Sequence, residues 1–219
     1  FLLQGVADVI EFSAQKRIIG SHEMEAYLQA CPYIYWQHEA VQRQASLLAQ
    51  GRQNCYVIAQ RCFEFVRDEI KHSWDYRLNP VTVSASQVLE HGTGFCYAKS
   101  HLLAALLRAN QIPTAICYQR VRLDDTPSFC LHALNAVHLP DYGWYRIDAR
   151  GNTPEIDAQF TPPVEKLAIE RYGLGEFFLE GLYEAPLSSV TKLLESCETI
   201  EQVAQRLSET DTLGHQSNE

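Results

Sequence analysis

Gly92-Thr93-Gly94-Phe95-Cys96-Tyr97-Ala98-Lys99-Ser100-His101-Leu102-Leu103-Ala104-Ala105-Leu106-Leu107-Arg108-Ala109-Asn110 is the stretch on which the reading of this chain turns. The glycines at 92 and 94 punctuate a turn. From Tyr97 onward strong helix formers take over, with Ala98, Leu102, Ala105, Leu106 and Ala109 on one inward stripe. Cys96 therefore stands at a helix N-terminus. The unpaired N–H groups and the helix dipole there favour negative charge, so a thiol ionises more readily than elsewhere. Thiolate is the nucleophilic form of cysteine, and Cys96, preceded by a glycine turn, has the setting that favours it.

Working outward, apolar residues at helical spacing predict a helix over 39–50 that stops at Gly51. A second helix over 54–70 has Asn54 as its cap and Ile58, Cys62, Phe65, Val66 and Ile70 on its buried stripe. Residues 72–80 read as a loop, and a short helix capped by Ser84 runs to Gly92. After Pro113 the period changes to two. Residues 114–123, 129–139 and 144–147 are rich in β-branched and aromatic side chains and are separated by turn clusters such as Pro140-Asp141-Tyr142-Gly143. Residues 152–163 are irregular, two short helices follow at 187–197 and 200–207, and the polar residues 210–219 read as a frayed tail. The fold class is α+β: N-terminal helices, with the cysteine helix packed on an antiparallel sheet, in one domain over residues 1–209.

With 219 residues, 46% of them apolar and 21% charged, the chain can bury a sizeable core. Eighteen Lys and Arg against 27 Asp and Glu give a net charge of −9. That balance argues against nucleic acid or an anionic membrane surface as partner, since both demand a basic face. It weakly favours cationic partners such as lysine-rich peptides, at close range only. No apolar run reaches the roughly 18 to 20 residues of a membrane helix. The expected location is the cytoplasm, and a removed leader is compatible with a chain that opens at Phe1. No CxxC pair occurs among the cysteines, so they read as reduced thiols, most of them packing groups. Cys130-x-His132 with His138 is one loose knuckle, whereas structural zinc uses two tight ones, so no metal and no cofactor are expected.

A thiolate needs a proton partner. His132 lies on one predicted strand and Asp148 ends the next, the arrangement in which a carboxylate fixes an imidazole tautomer. Both numbers are even, so the two side chains share a sheet face if the connection between their strands is odd in length. His138 stands six residues along the same strand, about 20 Å at 3.3 Å per residue, so the two histidines cannot serve one thiol.

These residues resemble the transglutaminase-like superfamily of papain-type thiol enzymes. The resemblance rests on Gly94-Phe95-Cys96-Tyr97-Ala98, on the leucine-rich run closing at Ile112-Pro113, on Leu131-His132-Ala133, and on Gly143-Trp144-Tyr145-Arg146-Ile147-Asp148. It spans about residues 54–151. It implies a catalytic Cys96-His132-Asp148 triad that forms a thioester with an amide or other acyl donor, on a small stand-alone microbial-type core without a metal. It also selects His132 over His138. The backbone N–H of Cys96 is the natural first oxyanion donor, with Trp74 or a polar side chain of the loop from His72 to Asn79 as a second. Tyr97 and Trp144, with Tyr118 and Phe129, are candidate walls of a substrate cleft. His101 is expected on the surface or behind the site. The function expected is thiol-dependent amide chemistry on a peptide, protein or small amide, with hydrolysis favoured over transfer to an amine. The alternative is a binding module that keeps the fold without turnover.

Overall fold

The computed structural model describes residues 21–123, 126–170 and 173–212. In chain order they form α1 (Ser21–Ala26), α2 (Glu39–Ala49), α3 (Cys55–Asp68), β1 (Lys71–His72), α4 (Ser73–Tyr76), α5 (Ala85–His91), β2 (Thr93–Gly94) and α6 (Cys96–Ala109). The sheet strands β3 (Thr114–Arg122), β4 (Phe129–Leu139), β5 (Gly143–Ile147) and β6 (Phe177–Phe178) follow, then α7 (Ser188–Glu195), α8 (Ile200–Gln205) and a 3₁₀ turn over Leu207–Thr210. The architecture is the mixed helix and antiparallel-sheet arrangement expected. Among the described residues no helix is long and apolar enough to cross a membrane.

Local chemistry sets the boundaries around the cysteine helix. Ser84 closes a capping box with Gln87 at the start of α5, and Gly92 ends it in the left-handed conformation at φ 64°. The chain then lays Thr93 and Gly94 beside Lys71 and His72 as a short parallel pair. Gly94 is required by close approach: a Cβ there would lie 3.2 Å from Thr82 Oγ1 and 3.3 Å from the Ala98 methyl. Phe95 opens α6 in an extended conformation and brings no side-chain acceptor to it. The first N–H groups of the helix are thus left without a side-chain cap.

The sequence pattern suggested one inward stripe on α6, but the helix is buried all round. Leu102 to Leu107 are fully covered, and so are the polar Lys99, His101 and Arg108. Helices α2, α3 and α5 pack on one side of α6 and strands β3 and β4 on the other, which makes it the central element. Its polar residues find partners inside. Arg108 donates to the carbonyls of Thr114, Gln29 and Glu184. His101, expected at the surface or behind the site, is wholly buried with Nδ1 2.7 Å from the Val83 carbonyl.

The sheet order is β5-β4-β3-β6, antiparallel throughout. Leu139 pairs with Gly143, which leaves a three-residue connection over 140–142. That odd length puts the even-numbered residues of β4 and those around the end of β5 on one face. At the C-terminal end, Thr210 and Asp211 were read as the start of a frayed tail, and the structure corrects this. Thr210 Oγ1 accepts from the Leu131 N–H at 2.9 Å, and Asp211 takes a two-point grip from the Arg120 guanidinium at 2.9 and 2.8 Å. Both residues are buried, held by groups on β3 and β4. The rest of the expected tail, 213–219, lies outside the described residues.

Candidate active site

Three side chains from three elements converge. Cys96 is the first residue of α6 and is partly exposed. His132 comes from β4, opposite Gln119 of β3, and Asp148 follows the last residue of β5. The His132 ring is buried, and its Nε2 lies 2.7 Å from Asp148 Oδ2. The remaining nitrogen, Nδ1, is the one left for the Cys96 thiol, with which the ring is electrostatically coupled. Asp148 is 1% exposed, and two backbone N–H groups fix its other lone pairs: Ala168 donates to Oδ2 at 3.0 Å and Arg150 to Oδ1 at 3.2 Å. The carboxylate is therefore held in one orientation.

Burial alone would raise the Cys96 thiol, but the charge and hydrogen bond of His132, joined by those of His72, outweigh it and bring its pKa below the ordinary value. His132 moves the opposite way. Burial disfavours its charge, yet Asp148 and the Cys96 thiolate raise its pKa well above the usual imidazole range. In Asp148 burial is again overcome, here by the His132 charge and by its three hydrogen bonds, and the pKa falls. The resting state these shifts favour is thiolate beside imidazolium. Burial pushes Cys62 and Cys117 up to about 12, so those thiols stay protonated.

The sequence includes His72 only as one of the polar side chains of its loop. His72 is buried, sits beside Gly94 in the β1–β2 pair, and joins His132 in lowering the Cys96 pKa. Its ring meets Phe95 edge-on at 5.6 Å between centroids. The signal that was available is the i, i+3 pairing of His72 with Asp75, whose Oδ1 lies 3.3 Å from Nδ1 as an ion pair without good hydrogen-bond alignment. Asp75 would be raised by burial, but His72 and the two-point grip of Arg150 hold it well below the usual carboxylate range.

The aromatic candidates fall elsewhere. Tyr97 is 1% exposed, with its hydroxyl donating to the Leu131 carbonyl at 2.5 Å, so it braces the strand carrying His132 rather than lining a cleft. Helix α6 runs inward from Cys96, which carries its second residue into the core. Trp144 packs with Ala115, Cys117, Leu134 and Ala136, against Tyr27 and His138, and does not border the thiol. Tyr118 is buried too, its hydroxyl accepting from the Leu187 N–H. Trp74 is partly exposed, and Arg77 covers its ring at 3.6 Å. His138 faces Trp144 rather than Cys96. Among the described residues no group of three or more His, Cys, Asp or Glu side chains is arranged to hold a metal ion.

Lys99, one turn below Cys96, is 1% exposed and donates to the Ile70 carbonyl. It lies close enough to Gly151 that a Cβ there would come within 3.5 Å of its Nζ. Burial first, then the Arg150 charge, push its pKa down to about 7 against the pull of Asp148 and Asp75. Between pH 7 and the ordinary lysine value near 10.4 the unfolded chain binds the extra proton, so this residue's contribution to stability rises with pH. Lys99→Met is expected to remove that rise. Subtracting the variant's unfolding free energies from those of the wild type at pH 7 to 9.5, by urea titration, checks it, and a flat difference would refute the assignment.

Comparison with known proteins follows this geometry. The transglutaminase-like superfamily model matches residues 42–149, which contain Cys96, His132 and Asp148. No curated protein matches. Among solved structures, a protein of Cytophaga hutchinsonii assigned to the cysteine proteases superposes with a TM-score of 0.50 at 18% identity, covering 63% of this chain and 45% of that one. The periplasmic domain of TgpA from Pseudomonas aeruginosa gives a TM-score of 0.46 at 19% identity, covering 60% and 48%. This chain thus spans about half the length of those structures. With the fold and the order of its cysteine, histidine and aspartate, the matched core of this chain belongs to the transglutaminase-like superfamily.

Proposed function

We propose that Cys96, His132 and Asp148 form the catalytic triad of a thiol-dependent enzyme that acts on amides through a thioester. One observation carries this reading: a single buried imidazole holds a fixed carboxylate on Nε2 and is coupled to the Cys96 thiol, each shifting the other's pKa toward the ion pair. The Cys96 thiolate attacks the amide carbonyl carbon, and a C–S bond forms. His132 gives its Nδ1 proton to the leaving nitrogen as the C–N bond breaks. Asp148 keeps the ring oriented and stabilises its charge. In the second half water loses a proton to His132, attacks the thioester, and releases the acid and the thiol. Hydrolysis is the favoured outcome, with a peptide, protein or small amide as substrate. A net charge of −9 supports cationic, lysine-rich peptides as the first to try.

The test is alkylation with limiting iodoacetamide across pH. Because the Cys96 pKa is lowered and that of His132 raised, the reactive pair is populated throughout the interval from about 6.5 to 8.5, between the ordinary imidazole and thiol values. Cys96 is expected to react first, at a rate that is nearly level over that interval. Cys55, Cys62, Cys117 and Cys197 are expected to lag by at least about tenfold at pH 7. Labelling of all thiols at one rate in the folded protein would refute the assignment.

A further inference from the structure

We propose that His72 is a second catalytic histidine of this site, whose Nε2–H donates to the oxyanion formed when Cys96 attacks a carbonyl; the proposal rests on the acyl-enzyme reading above. Two imidazoles act on one thiol, both lowering its pKa, and each is backed by a carboxylate: His132 by Asp148 at 2.7 Å, His72 by Asp75 at 3.3 Å. Arg150 joins the two arms. Its guanidinium grips Asp75 at 2.7 and 3.0 Å, while its backbone N–H holds Asp148 at 3.2 Å. A network of this kind around a residue with no chemical task would be costly, because it buries charge that must be satisfied throughout.

Position decides between the tasks open to His72. The thiol needs one proton carrier, and His132 fills that role from the sheet. His72 is held in register with Gly94, two residues before Cys96, and against the Phe95 ring. It therefore stands at the N-terminus of α6, where the N-cap Phe95 supplies no side-chain cap. Oxyanion stabilisation works through two or more fixed donors aimed at one oxygen, and the Cys96 N–H is only one. Asp75 Oδ1 lies opposite Nδ1 at 3.3 Å, which leaves Nε2–H, on the far edge of the ring, as the second donor. As the C–S bond forms, the carbonyl π electrons move onto oxygen. The two N–H groups meet the new charge there, and no proton is transferred to it.

The experiment separates attack on a carbonyl from attack on a saturated carbon. 4-Nitrophenyl acetate acetylates a thiolate and releases 4-nitrophenolate through an oxyanion; iodoacetamide alkylates the same thiolate without one. Both rates are measured for the wild type, His72→Ala and His72→Gln, each at a pH on the plateau of its own alkylation profile, so that the thiol is fully ionised. His72→Ala is expected to lose about 10² to 10³-fold in acetylation while its plateau alkylation stays within about threefold of wild type. His72→Gln, which retains an N–H donor, is expected to recover at least about tenfold of the loss. Equal losses in both reactions, or in neither, would overturn the oxyanion role, and so would a Gln variant no better than Ala when both are folded by circular dichroism. A wild-type protein that is neither acetylated nor selectively alkylated at Cys96 would overturn the acyl-enzyme reading itself, and this proposal with it.

Discussion

Cys96→Ser is expected to abolish acyl-enzyme formation, by about 10⁴-fold or more, which is the scale on which a triad fails when its nucleophile is lost. Fold stability is expected to change by no more than about 1 kcal/mol. The two halves have different physical origins. The side chain is partly exposed at a helix start, and oxygen for sulfur is a small change in volume there. Chemically the change is large. The site lowers a thiol to a thiolate through His132 and His72, and a hydroxyl, whose pKa lies far above that of a thiol, stays protonated in the same surroundings. Thermal unfolding together with burst-phase 4-nitrophenolate release checks both halves. A variant that unfolds outright would make the thiol a structural group, and one that still gives a burst would place the nucleophile elsewhere.

Asp148→Asn carries the second large effect. Without the carboxylate the imidazolium loses its counter-charge and its fixed tautomer, and acylation is expected to fall by about 10³ to 10⁴-fold. The same change is expected to cost about 1 to 3 kcal/mol of stability. Asp148 is fully buried and accepts from His132 and from the backbone of Ala168 and Arg150, whereas an amide offers one acceptor oxygen and a donor that faces other donors. The sign with pH follows from the lowered pKa of Asp148. Its contribution is complete above the ordinary aspartate value near 3.9 and fades as pH falls below it toward the folded-state value. The stability gap between wild type and variant is therefore widest near neutrality and closes in acid. Urea unfolding at pH 7 and at pH 3 reads this directly, and a gap independent of pH would contradict the hydrogen-bonded carboxylate described here.

Much of what positions these groups is written locally in the chain. Ser84 and Gln87 three apart, Gly92 after the last helical residue, and glycine again at 94 leave few ways to place the start of α6. The change to period two after Pro113, with a three-residue turn between β4 and β5, brings His132 and Asp148 to one face. Such signals involve neighbours in sequence. His72 stood out only as a loop residue because its place beside Cys96 depends on a parallel pair only two residues long, too short to leave a periodic trace. Tyr97 and Trp144 were misread for a related reason: an aromatic next to a catalytic residue in sequence points wherever its element points, and here that is into the core and toward Tyr27. The burial of α6 on every side, with Lys99, His101 and Arg108 inside, depends on how many elements surround the helix, which its own pattern does not encode. Thr210 and Asp211 look like tail residues until their partners at Leu131 and Arg120 are known.

The central claim is that Cys96 takes an acyl group with His132 as its proton partner. Mass mapping of peptides from wild-type protein quenched in acid within the burst after mixing with 4-nitrophenyl acetate tests it most directly. One acetyl group is expected on the peptide carrying Cys96, in thioester linkage cleaved by hydroxylamine, and His132→Ala is expected to show none under the same conditions. An acetyl group on another cysteine or on a lysine, or equal occupancy of Cys96 in the His132→Ala protein, would contradict the account.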